Sequence, residues 1–149
     1  LTCDLDMSVL PEQYLIWCRR KLIKDINCAY IASRKHKKSK VKSKFIRRRL
    51  GDIFRSILVI LFNIRISDTQ CGFKVYHKNY IKHIFKRMKI ARYAHDVEAI
   101  LILQSKGIKI KELPVKWKHQ SDGKINIIAD SFKMLLDLFI LRLKPSLVK

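Results

Sequence analysis

The run SDTQCGFKVY, residues 67–76, sets an acid, small polar groups, a thiol, a glycine and a lysine directly ahead of alternating apolar residues. It reads as a compact polar loop feeding a strand over 72–76. The segment before it, 45–63, has apolar residues at helical spacing, with Arg47, Arg48, Arg49 and Arg55 around them. The segment after it predicts a helix over 79–88. Further out, CAYIAS (28–33) reads as a short buried strand. IKIKELPVKWK (108–118) alternates apolar and charged residues as an exposed or edge strand does, and Pro114 favours the edge. Helices are predicted over 11–25, with Pro11 in the first turn, over 95–106, ended by Gly107, and over 129–144, where Phe132, Leu135, Leu136, Phe139, Ile140 and Leu143 share a side. Strands alternating with helices define an α/β unit, and no internal repeat is visible.

A chain of 149 residues with 48% hydrophobic content fits one domain and excludes wholesale disorder. Its formal charge of +21 points to an anionic partner: nucleic acid, a lipid head group or a phosphorylated small molecule. Cys3, Cys18, Cys28 and Cys71 form no CxxC pair and have no histidine at zinc-like spacing, so they read as reduced thiols of a cytosol-facing protein. Leu1-Thr2-Cys3-Asp4 reaches a charge too early for a signal peptide. With no initiating methionine and a strand-like opening, the expectation is a chain that begins partway through a larger protein. The longest apolar run, 57–66, is broken by Asn63 and Arg65 and reaches about half of the ~20 residues that span a bilayer.

Several groups could carry chemistry. Asp4 and Asp6 leave an extended chain on the same side. They are either two solvated loop acids or a pair able to hold a hard divalent cation whose shell substrate phosphates complete. Asp96 and Glu98, two apart on a helix, point about 200° away from each other, so at most one faces a shared site. They also suit the positive end of a helix dipole. His95 reads as a packing or capping residue, and His36, His77, His83 and His119 are scattered. Residues 34–44, RKHKKSKVKSK, predict a mobile basic loop. With Arg47–Arg49 they could form a nucleic-acid arm, but Phe45 is their only aromatic and no stacking platform accompanies it.

Taken in order, DLD (4–6), IASR (31–34), the basic amphipathic segment, DTQCGFKVY (68–76), HDVEAILILQSKGIKIKELPVKW (95–117) and DGK (122–124) resemble the dolichyl-phosphate β-glucosyltransferases. These are inverting family 2 glycosyltransferases related to dolichol-phosphate mannose synthase. The resemblance implies that residues 1–149 form the C-terminal part of one A-type, Rossmann-like catalytic domain with amphipathic membrane-interface helices. The nucleotide-binding half and membrane anchor would lie upstream. It implies Asp4 and Asp6 as ligands of Mg2+ or Mn2+, and Ser33 and Arg34 as a phosphate clamp. Asp68 and Gln70 would bond sugar hydroxyls or orient the loop, and Gly72 would let backbone approach the substrate. Lys74 would offer charge to an anionic acceptor, and Lys124 would be a further substrate contact. Asp96 and Glu98 would be catalytic residues in positioning roles, with a base role for one left open.

The implied reaction moves glucose from UDP-glucose to dolichyl phosphate with inversion, giving dolichyl β-D-glucosyl phosphate for protein N-glycosylation. It would occur at the cytosolic face of the endoplasmic reticulum membrane, with no nucleic-acid partner. The five successive aliphatic residues at 57–61 favour a membrane over RNA. Three departures stand out: His95 for an aromatic residue, DGK for Gly-Ser-Lys, and Ala32 for glycine. Mannose transfer to the same lipid, a non-enzymatic basic protein binding RNA or membrane, and an inactive fragment remain alternatives.

Overall fold

The computed structural model describes residues 1–42, 45–90, 94–118 and 127–143. Lys124 and the DGK triplet lie outside them. The elements, in chain order, are α1 (Glu12–Arg19), β1 (Cys28–Ser33), β2 (Lys40–Lys42), α2 (Phe45–Phe62), β3 (Lys74–Val75), α3 (Lys78–Arg87), α4 (His95–Ser105), β4 (Lys109–Pro114), β5 (Lys116–Lys118) and α5 (Ile127–Leu143). The result is a mixed α/β fold with a three-stranded sheet, β3-β1-β4, and a two-stranded sheet, β2-β5.

Every residue of β1 is buried, because both faces of the strand are covered. Cys28, Tyr30 and Ala32 join a cluster with Trp17, Phe73, Leu113, Val115 and Trp117, where Trp17 meets Phe73 edge to face at 5.2 Å between ring centroids. Ile31 points the other way, into Leu58 and Ile64, Val97 and Ile100 of α4, and Leu138 and Leu141 of α5. A strand buried on both sides reads as a continuous apolar run, as CAYIAS does. β1 runs antiparallel to β3 and parallel to β4, with Ser33 opposite Pro114. Pro114 thus ends an edge strand, where its missing N–H removes no ladder bond. Gly107 closes α4 with φ at +67°, the left-handed geometry that glycine adopts without strain.

Four expectations change. The helix predicted over 11–25 stops at Arg19, and Lys21 turns the chain with φ at +51°. The strand predicted over 72–76 is only Lys74–Val75. The basic run 34–44 is not all loop: β2 pairs in parallel with β5, Val41 opposite Trp117. The strand predicted over 108–118 divides at Val115 between the two sheets, whose N–H and C=O bond Ser39 Oγ at 3.0 Å and Lys40 N–H at 2.9 Å. No helix among the described residues is long and apolar enough to cross a membrane.

Candidate active site

The polar loop 67–73 lies where the ends of β1 and β4 and the N-terminal segment meet. Glu112 of β4 accepts the backbone N–H groups of Ser67 at 3.0 Å and Asp68 at 3.1 Å. Asp68 accepts three bonds from Arg34: backbone N–H at 2.8 Å, Nε at 2.7 Å and Nη2 at 2.7 Å. Burial alone would push the Asp68 carboxyl up, but Arg34 outweighs it and holds the carboxyl below its ordinary range. Burial alone would likewise lower the Arg34 pKa, and Asp68 raises it above the usual guanidinium value. The guanidinium also lies over Trp117, 5.7 Å from the ring centroid, a cation–π contact that fixes its plane.

On the other side of the loop, Thr2 and Lys74 exchange backbone bonds of 2.8 and 3.1 Å, and Thr2 Oγ1 donates to the Gly72 carbonyl. This docks Asp4 against Gly72. A Cβ on Gly72 would stand 1.9 Å from Asp4 Oδ1, so no side chain fits there. Lys74 is 0% exposed, and its ammonium donates to the Cys71 carbonyl at 2.7 Å and Asp96 Oδ1 at 2.5 Å. The Lys74 charge therefore faces Asp96 rather than open solvent, unlike the expected acceptor contact. His95 Nε2 stands 3.3 Å from the same Asp96 oxygen. Burial, then Asp96 and Asp6, push the Asp4 carboxyl up, against Lys74 and a Gly72 backbone bond.

The two acids of DVE part company, as helical spacing requires. Asp96 belongs to the Lys74 cluster. Glu98 is buried elsewhere, accepting the backbone N–H groups of Lys89 and Ile90, each at 2.9 Å at its shorter contact. Its carboxylate closes a chain turn before α4, apart from the site.

Asp6 bonds the backbone N–H of Ser8 at 2.9 Å and its hydroxyl at 2.7 Å. Asp4 and Asp6 are hard oxygen donors, and the upward push on Asp4 means that a cation there would relieve repulsion. That donor set fits Mg2+ or Mn2+. Among the described residues no group of three metal-ligating side chains gathers, and those residues offer the carboxylate pair.

A cavity of about 340 Å³ opens beside the loop, lined by Arg34, Lys35, His36, Arg55, Asp68 and Gln70 among others. Lys35 pairs with Asp52 at its rim. Two buried polar atoms have no partner among the described residues: Ser33 Oγ and Gln70 Nε2. Buried donors normally find partners, so such a pair marks a place where a ligand or water completes the bonding. Sequence reasoning missed Glu112 and Trp117 as parts of this assembly. Glu112 is the only acid in a run of lysines (109–118), and that was the available signal.

The proteins that this chain resembles in sequence are glycosyltransferases. The chain is 42% identical over 88 residues to dolichyl-phosphate beta-glucosyltransferase of Saccharomyces cerevisiae, covering 58% of this chain and 26% of the relative. It is 33% identical over 133 residues to dolichyl-phosphate beta-glucosyltransferase ALG5A of Trichomonas vaginalis (89% of this chain, 39% of the relative). It is 32% identical over 141 residues to the Homo sapiens dolichyl-phosphate beta-glucosyltransferase (93% and 40%). The chain is thus homologous to part of the dolichyl-phosphate beta-glucosyltransferases, and it spans between 26% and 40% of the length of these relatives. No family model matches it, and no solved structure does.

Proposed function

We propose that this chain is the C-terminal part of the catalytic domain of an inverting, A-type glycosyltransferase that transfers glucose from UDP-glucose to dolichyl phosphate. The observation that carries this reading is the Arg34 cavity: a cationic pocket of about 340 Å³ with a buried, unpartnered amide nitrogen on Gln70. Such a pocket suits a phosphate monoester, whose oxygens accept charge-assisted bonds.

A single displacement follows. A phosphate oxygen of the lipid attacks C1 of glucose, the new C1–O bond forms as the bond from C1 to the UDP oxygen breaks, and configuration inverts. The second pKa of a phosphate monoester lies near ~6, so the nucleophile is ionised at neutral pH and needs no strong base. Arg34, braced by Asp68 and Trp117, orients the phosphate. Ser33 and Gln70 supply further donors, and Gly72 leaves room beside Asp4. Lys74 holds Asp96 in place under the loop. Asp4 and Asp6 would hold Mg2+ or Mn2+, which when bound supplies positive charge to the departing pyrophosphate.

The membrane reading rests on α2 and α5. Their inner sides pack through Leu58, Leu138 and Leu141, while Ile53 and Ile60 of α2 are 59% and 80% exposed and Phe139, Ile140 and Leu143 of α5 are exposed too. Apolar side chains beside Arg49, Arg55 and Arg142 suit a helix lying in a head-group layer, here the cytosolic face of the endoplasmic reticulum. The apolar run 57–61 is not all lipid-facing, because Leu58 is core.

Gln70→Leu in the natural protein tests the reading. The Nε2 group bonds nothing among the described residues, so the urea midpoint should hold or rise. The KM for dolichyl phosphate should rise about tenfold with the KM for UDP-glucose unchanged. Unchanged acceptor KM would remove the pocket's assignment.

A further inference from the structure

A second cavity, of about 380 Å³, shares no lining residue with the Arg34 pocket. Its floor is apolar, formed by Trp17, Pro114 and Val115, and five cations surround it: Arg19 and Arg20 at the end of α1, Lys38 and Lys40 on the way into β2, and Lys116 of β5. No carboxylate of the described residues lines it. None of the five makes an ion pair among the described residues, whereas Arg34, Lys35 and Lys74 near the candidate active site each have an acid.

Hydrogen bonds fix the backbone that carries two of these cations, Lys40 and Lys116. Lys40 and Lys116 stand opposite each other in the parallel β2–β5 register, so their side chains leave the same face. Lys40 N–H bonds the Val115 carbonyl at 2.9 Å, and Lys116 N–H bonds Gln13 Oε1 at 3.1 Å. Trp17 Nε1 donates to the Pro114 carbonyl at 2.8 Å, which ties α1 to the same wall. Like charges fixed side by side repel, and a fold that anchors them so is stabilised by an anion that enters between them. Arg19 and Arg20 add fork-shaped donors suited to phosphate oxygens.

We propose that this groove binds a multiply phosphorylated anion, carried either by an anionic lipid head group or by a soluble polyphosphate, at a site apart from the Arg34 pocket. The proposal stands on the groove's own geometry and does not depend on the transferase reading.

The test compares Lys38→Glu/Lys116→Glu with Lys82→Glu/Lys86→Glu, an exposed pair on α3 that changes the net charge equally. Inorganic triphosphate is titrated calorimetrically into the natural protein, and flotation is measured with vesicles of phosphatidylcholine containing a phosphatidylinositol bisphosphate. The groove variant should bind one of the two probes about tenfold more weakly than wild type, and the α3 variant should bind it nearly unchanged. Loss confined to triphosphate identifies a soluble ligand, and loss confined to vesicles identifies a head group. Equal losses in the two variants, or binding by neither probe, would overturn the proposal. All four lysines are exposed, so folding is not at issue.

Discussion

The Lys74–Asp96 pair supports an asymmetric prediction. The Lys74 side chain is 0% exposed and that of Asp96 11% exposed. In Asp96→Asn the ammonium keeps the Cys71 carbonyl but loses the carboxylate it is bonded to, in a site that water does not reach. Removing one partner of a buried pair costs about 3–5 kcal/mol, and an isosteric amide that still accepts a bond places this case near ~3 kcal/mol. In Lys74→Met the stranded carboxylate still touches solvent and has His95 Nε2 at 3.3 Å. Its loss should be smaller, roughly 1–2 kcal/mol. The double variant should cost little more than Lys74→Met alone, a coupling of about 2 kcal/mol. Urea unfolding at neutral pH, with m unchanged across the set, measures all three values. Additive losses, or an Asp96→Asn cost within about 0.5 kcal/mol of wild type, would show that the two side chains are not energetically paired.

Gly72→Ala should displace Asp4, because the new methyl falls on its carboxylate; transfer activity and Mg2+-induced stabilisation should drop together, and intact Mg2+ stabilisation would contradict the geometry. Asp4→Asn or Asp6→Asn should abolish metal-dependent turnover of UDP-glucose while circular dichroism shows the fold retained. Burial pushes the Cys71 thiol up to about 11 from its ordinary 9.0. The sign follows: the unfolded thiol ionises first, so its contribution is full below pH 9.0 and lost as pH rises toward 11. Cys71→Ala should flatten the alkaline fall of the urea midpoint in that window. Ile53→Ser/Ile60→Ser should weaken vesicle binding with little loss of stability, whereas Leu58→Ala should cost about 2–5 kcal/mol because Leu58 is core.

Much of the architecture was legible where local pattern and burial agree. CAYIAS reads as a buried strand because both its faces are covered, and the helical spacing of 45–63 matches α2 because one side of that helix packs on α4 and α5. The parting of Asp96 and Glu98 follows from helix geometry alone. β2 was hidden because Lys40 and Lys42 carry no apolar signal. That strand exists through pairing with residues far along the chain, Lys116 to Lys118. The short α1 was overestimated because apolar residues continue past Arg19 after the chain has turned at Lys21. Within the candidate site, the sequence marks the chemistry-bearing residues but not their partners. Arg34 needs Asp68, Asp68 needs Glu112, and Lys74 spends its charge on Asp96. These are contacts between residues 22 to 44 apart in sequence, which spacing does not reveal.

The central claim is tested most directly by incubating the natural protein in vesicles with dolichyl phosphate and either UDP-glucose or GDP-mannose, then determining the sugar and its anomeric configuration in the lipid product. The account predicts β-linked glucose from UDP-glucose and negligible product from GDP-mannose, with glucose transfer lost in Asp4→Asn. Mannose transfer, or an α-linked glucosyl lipid, would contradict it.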